Sequence, residues 1–72
     1  MLRENCRVRT LIEKQGFHAG TLGVIVSVYK AGPACEVELW DEKENPMDVV
    51  TFMLDELEEV PDSAKYITKL LE

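Results

Sequence analysis

The sequence is poor in the residues that most often carry chemistry. Two cysteines, Cys6 and Cys35, and one histidine, His18, are all that 72 residues offer. Two cysteines are too few for a disulfide scaffold, and without CxxC spacing they form no zinc or dithiol redox motif. Both are expected to be reduced thiols, since free cysteine behaves as a small hydrophobe. A bridge between them stays open, because each lies in a segment that reads as strand. Positive charge is scarce too: eight Lys and Arg face fourteen Asp and Glu, a net charge of −6. Sequence-independent affinity for nucleic acid comes from Lys and Arg displacing counterions, so this balance argues against such a partner. No apolar run approaches the roughly 18 residues that span a bilayer, and Met1–Asn5 lacks a hydrophobic signal region. The expectation is a cytoplasmic protein with no membrane partner.

What the chain does have is strand-forming sequence with turns between. From Cys6 to Leu11, Cys6, Val8 and Thr10 alternate with Arg7, Arg9 and Leu11, placing the arginines on a solvated face. Residues 12–20 read as a loop around one apolar anchor, Phe17. Thr21 to Tyr29 is dense in β-branched residues and reads as a long buried strand, in which Gly23 marks a bend or bulge. Lys30-Ala31-Gly32-Pro33 supplies a turn. In the next strand Cys35, Val37 and Leu39 face one way, and Glu36, Glu38 and Trp40 the other. Asp41 to Pro46 reads as a polar hairpin loop, with Met47–Phe52 returning as its partner. A single helical turn over Asp55 and Glu56 then leads to a closing strand, Leu57–Val60. Leu57 and Val60 cannot both point inward there without an irregularity. After Pro61, Asp62 or Ser63 can cap a short helix that sets Ala64, Ile67, Leu70 and Leu71 on one face.

Five short strands, the second long and bent, with one helical turn before the last, predict an all-β fold. The expected architecture is a small SH3-like five-stranded barrel over residues 1–60, followed by a short C-terminal α-helix over 61–72. An oligonucleotide-binding barrel is the alternative, but it usually needs a longer chain.

The run Gly20-Thr-Leu-Gly-Val-Ile-Val-Ser-Val28-Tyr29, then Cys35-Glu-Val-Glu-Leu39, then Thr51-Phe-Met-Leu-Asp-Glu-Leu57, resembles a family of very short bacterial proteins classed as a domain of unknown function. That family's pattern runs LKAGDVGTVVHVY, YEVEF, LTLKPDQLRPV, and the likeness covers about residues 6–60. The glycine pair and Tyr29 are its most diagnostic parts. Thr21 stands where the family usually has an acid, and the segment after Pro61 extends past its ordinary end. More distantly, Gly20-x-x-Gly23-x-Ile25-x-x-Val28 is similar to the KOW motif of ribosomal and transcription-elongation barrels. In those proteins basic neighbours of the glycines reach RNA; here such neighbours are sparse. The resemblance implies a shared fold more than a shared ligand.

No catalytic constellation emerges. His18 with Cys6 or Cys35 would be a Cys–His dyad, but no third orienting group or oxyanion motif accompanies it, and an exposed loop histidine is the preferred reading. Asp41, Glu42, Glu44 and Asp48 lack the spacing that wraps calcium and read as a polar loop, so neither a metal nor another cofactor is expected. The charge is polarised: residues 36–59 hold ten acids and one base, whereas residues 1–35 hold five bases and two acids. The acidic stretch reads as the solvated face of a hairpin, or as a dock for a basic partner. Trp40 falls on that acidic face, either as an interface anchor or as a cover for the barrel end or the C-terminal helix. The stripe of Ile67, Leu70 and Leu71 docks in cis, or serves self-association or a partner.

These readings predict a non-enzymatic protein-interaction module, with homodimerisation open, that binds an unidentified protein through Trp40, Glu36, Glu38, Ile67, Leu70 and Leu71. The alternative is a KOW-like nucleic-acid-binding barrel using a basic face of Arg7, Arg9, Lys14 and Lys30. That face lacks the aromatic interleaving that stacks bases, apart from Phe17 and Tyr29.

Overall fold

A computed structural model describes residues 2–61. The expected helix over 61–72, with Ile67, Leu70 and Leu71, lies outside the described residues beyond Pro61. Among the described residues there are five strands: β1 (Arg7–Thr10), β2 (Leu22–Val28), β3 (Ala34–Trp40), β4 (Pro46–Met53) and β5 (Leu57–Glu59), with a 3-10 turn over Leu54–Glu56 before the last. All pair antiparallel in one sheet of order β4-β3-β2-β1-β5. Among the described residues the sheet is not closed into a barrel, and β4 and β5 are its two edges.

The alternation in sequence becomes two faces. Val8, Ile25, Val37, Leu39, Val50 and Phe52 are buried on the inner face with Cys35 and Leu57, while Leu2, Cys6, Phe17, Val28 and Leu54 pack around them. At about 25 cal/mol per Å² of apolar surface removed from water, such a core is the main stabilising term. On the outer face the register sets Arg7 beside Val24, Val24 beside Glu38 and Glu38 beside Val49, in one row across four strands. Leu57 points inward, and Val60, past the end of β5, is half-buried with its N–H bonded to the Arg7 carbonyl.

Gly23 differs from its expected role. The bulge in β2 falls between Ile25 and Ser27, with a second irregularity in the β3–β4 pairing between Leu39 and Trp40. At Gly23 itself the backbone of β3 approaches closely: an added Cβ would lie 2.3 Å from the Glu38 carbonyl oxygen. Only a residue without a side chain fits between β1 and β3 at that point.

Cys6 and Cys35 are not bridged to each other. Cys6 lies immediately before β1 and Cys35 in β3, with β2 between those strands. Two strand spacings of about 4.8 Å exceed the roughly 7 Å within which a disulfide can close, so the topology removes the bridge.

Candidate functional site

The loop over residues 11–20 and the 41–45 hairpin loop lie at the same end of the sheet, because the start of β2 pairs with the end of β3. The first is shaped by a tight reversal in which Lys14 and Phe17 exchange backbone hydrogen bonds of 2.9 Å. Gln15 and Gly16 both take positive φ, 50° and 86°, the signature of a primed hairpin turn. The base of this loop is pinned by a buried threonine pair. Thr21 N–H donates to Thr10 Oγ1 at 3.1 Å, and Thr21 Oγ1–H donates to the His18 carbonyl at 2.6 Å. Phe17 packs against the core as the expected anchor.

Across the gap, Asp41 organises the other loop. Its carboxylate accepts the N–H groups of Lys43 at 2.8 Å and Asn45 at 2.9 Å, while Glu44 adopts a left-handed φ of 64°. Chiefly the backbone N–H of Asn45 holds the Asp41 carboxyl below its ordinary range; desolvation opposes it, and the Lys43 N–H and the Asn45 side chain add to the lowering. Asp41 is thereby engaged in shaping its own loop. Because its folded value is depressed, the stabilisation is present above the ordinary aspartate range near 4 and lost as pH falls through the lower folded value. Glu56 acts alike: it accepts the Met53 N–H at 2.8 Å and Lys14 Nζ at 3.4 Å, and chiefly the Met53 bond lowers its value. Asp41→Asn keeps an acceptor oxygen but removes the titration. Its melting temperature is expected to fall less than that of the unaltered chain between pH 5 and pH 3, as thermal melts at the two pH values will show; an identical fall in both chains would remove Asp41 from this role.

Between the two loops runs an open groove of about 750 Å³. Phe17, Leu22, Trp40 and Met47 give it apolar walls, and Asp41, Glu42, Lys43 and Glu44 form an acidic rim. Trp40 is half-buried and oriented on both sides. Its Nε1–H donates to Glu38 Oε1 at 3.0 Å, and the Arg7 guanidinium sits over its ring, 5.3 Å from the centroid. Arg7 Nη2 also lies 3.7 Å from Glu44 Oε2. Close by on the outer face, Met47 and Val49 of β4 are 58% and 50% exposed, an apolar margin continuous with the groove.

Glu36, Glu38 and Trp40 share the outer face of β3 as the alternation requires, but the structure divides them between two clusters. Glu36 lies toward the far end of the strand. Tyr29 Oη–H donates to it, and the Thr51 hydroxyl lies 2.8 and 3.0 Å from its two oxygens. The Tyr29 bond, then the Thr51 bond, lower the Glu36 carboxyl, and the same carboxylate raises the Tyr29 hydroxyl. Glu36 therefore serves this exposed trio and not the groove.

The four residues of the expected basic face do not form a basic patch. Arg7 lies against Trp40 and Glu44. Arg9 pairs with Glu58 at 3.5 Å, and Lys14 pairs with Glu56 at 3.4 Å while its ammonium lies 5.0 Å from the Phe52 ring centroid. Lys30 is exposed in the β2–β3 turn, at the opposite end of β2 from the groove. That Arg7 belongs with Trp40 is not legible in the sequence. Alternation gave both an outward direction, but only the pairing register shows that they converge. His18, in the groove wall, has its Nδ1 3.0 Å from the Ala19 carbonyl. Cys35 is buried in the core, where desolvation and the Glu36 charge push its thiol up, away from the reactive thiolate.

Compared with protein-family models, curated proteins and solved structures, the chain matches none of them.

Proposed function

We propose that this chain is a non-enzymatic protein-interaction module of SH3-like architecture, and that its docking surface is the groove at Trp40. The meander β1–β4, the 3-10 turn and the return of β5 to β1 support the SH3-like reading, as does the resemblance of residues 6–60 to the short bacterial family. The observation that carries the functional reading is Trp40: a half-buried indole, fixed by Glu38, at the wall of an open groove with an acidic rim. Aromatic anchors held rigid in partly desolvated clefts are where interface energy concentrates. The nucleic-acid reading draws less support, because Arg7, Arg9 and Lys14 are each engaged by a carboxylate of the same chain.

The test is capture of partners by the immobilised full chain and by Trp40→Ala, followed by mass spectrometry. A hot-spot indole contributes about 2 kcal/mol or more, so Trp40→Ala is expected to lower retention of a true partner roughly thirtyfold. Equal retention by both chains would remove Trp40 as the anchor. A salt-sensitive shift of RNA or DNA, abolished by Arg7→Ala and Arg9→Ala, would replace this reading with the nucleic-acid one. Sedimentation of the chain alone shows whether a second copy is the partner.

A further inference from the structure

Arg7 leaves β1 opposite Val24, and the register places Glu38 on the far side of Val24. Its side chain therefore crosses β2 to reach Trp40 and Glu44 of the β3–β4 hairpin. A planar cation over an indole face with a carboxylate at its edge is the arrangement that binds a guanidinium. Glu38 completes it by holding the indole through the Nε1–H bond. Two members of this set, Trp40 and Glu44, also line the groove, where Asp41 and Glu42 add negative charge and Lys43 is the one basic residue among the described lining residues. A guanidinium site thus borders the groove through Trp40 and Glu44, and it is filled by an arginine of the same chain.

We infer that this site receives an arginine on an extended segment of another protein, and that Arg7 is an internal occupant which the incoming arginine displaces. The inference rests on the groove being a docking site and adds the chemistry of what docks. Charge complementarity selects a cationic segment, and the flat π face with its carboxylate edge selects arginine over lysine. Glu44 is the open end of the site: its side chain is 64% exposed and lies 3.7 Å from Arg7 Nη2, so its carboxylate is accessible to an incoming guanidinium. Phe17, Leu22 and Met47 offer apolar surface to the aliphatic stems of such a segment. A second copy of the chain is a poor occupant, since two partners of net charge −6 repel.

Trp40 is the only tryptophan, so its fluorescence reports the site directly. The full chain is titrated at low salt with three blocked hexapeptides, carrying two arginines, two lysines or two glutamates. A saturable change is expected with the arginine peptide, a weaker one with lysine and none with glutamate. Arg7→Ala should bind the arginine peptide about threefold more tightly, and Glu44→Gln about threefold more weakly, the factor expected for one exposed cation–π or ion-pair contact. If Arg7→Ala fails to fold by circular dichroism, Arg7→Met, which keeps an apolar stem over Val24, takes its place. Weaker or unchanged binding by the folded Arg7 variant overturns displacement. No response to the arginine peptide while partner capture still depends on Trp40 overturns the arginine site and leaves the groove reading standing. Loss of both overturns both.

Discussion

Gly23→Ala is expected to unfold the domain or to lower its melting temperature by 10 °C or more. The added Cβ would lie 2.3 Å from the Glu38 carbonyl oxygen, and 3.2 Å from both the Glu38 carbonyl carbon and Leu39 Cα. All three are backbone atoms, so no side-chain rotation relieves the overlap. Gly23 is paired with Val8 on one side and Leu39 on the other, and Val8 and Leu39 are both fully buried. Moving β3 away opens the centre of the sheet, and moving β2 away presses on β1. In a permissive site glycine to alanine gains about 0.4–1 kcal/mol by restricting the unfolded chain. Here overpacking costs about 3 kcal/mol or more. A chain of this size has about 4–10 kcal/mol of stability in all, and each kcal/mol shifts its melting point by roughly 4–8 °C. Gly32→Ala is the control, because nothing lies within 4 Å of an added Cβ there. A Gly23→Ala protein melting within a few degrees of the Gly32→Ala protein would show that β3 can shift at no cost.

The same glycine shows what the sequence makes legible and what it does not. A glycine amid β-branched residues signals that something close or bent occurs, and the alternation around it places strands and faces. Cys35, Val37 and Leu39 are inward as read, and the single turn over Asp55 and Glu56 is present as a 3-10 turn over Leu54–Glu56. Local patterning decides these features, and local patterning is what one sequence displays. Which strand approaches Gly23, and that the bulge falls at Val26, depend on register, which is set by packing between segments far apart in the chain. The candidate site divides along the same line. Trp40 and Glu38 were legible as neighbours on one strand face, two residues apart. Arg7 was legible only as outward-facing, because its meeting with Trp40 joins positions 33 residues apart through two strand pairings. Alternation puts Glu36 on the same face, but the strand carries it away from the groove toward Tyr29 and Thr51.

Charge polarisation acquires a physical meaning in the same way. The basic first half and the acidic stretch of residues 36–59 meet where β1 lies beside β5 and where the 11–20 loop reaches the 3-10 turn. Arg9–Glu58 and Lys14–Glu56 are both pairs between the two halves. Each is exposed or partly exposed and adds little stability alone. Their joint effect is to engage Arg9 and Lys14 away from the groove, so that Arg7 and Lys43 only partly offset the acids of the 41–45 loop.

Phe52→Ala is expected to be the most damaging truncation in the core, and to loosen the groove before it unfolds the chain. Phe52 is fully buried in β4 opposite Cys35, and truncating such a ring removes about 3–5 kcal/mol through lost burial and the cavity left behind. That loss approaches the whole stability of a chain this small. The ring has a second duty, because the Lys14 ammonium lies over it at 5.0 Å while also pairing with Glu56. Lys14 begins the tight turn whose other end, Phe17, forms a wall of the groove. Phe52→Leu separates the two effects: it keeps most of the apolar volume and loses the aromatic face. Urea titration should place Phe52→Leu well above Phe52→Ala in stability. Hydrogen exchange should nevertheless show faster opening of the Lys14 and Phe17 amides in the leucine variant than in the parent, with core amides such as Val37 less affected. Unchanged exchange at Lys14 and Phe17 would mean that the loop is held by Thr10 and Thr21 alone. A Phe52→Ala protein as stable as the leucine variant would mean that the core collapses around the missing ring, against the cost expected for a fully buried side chain.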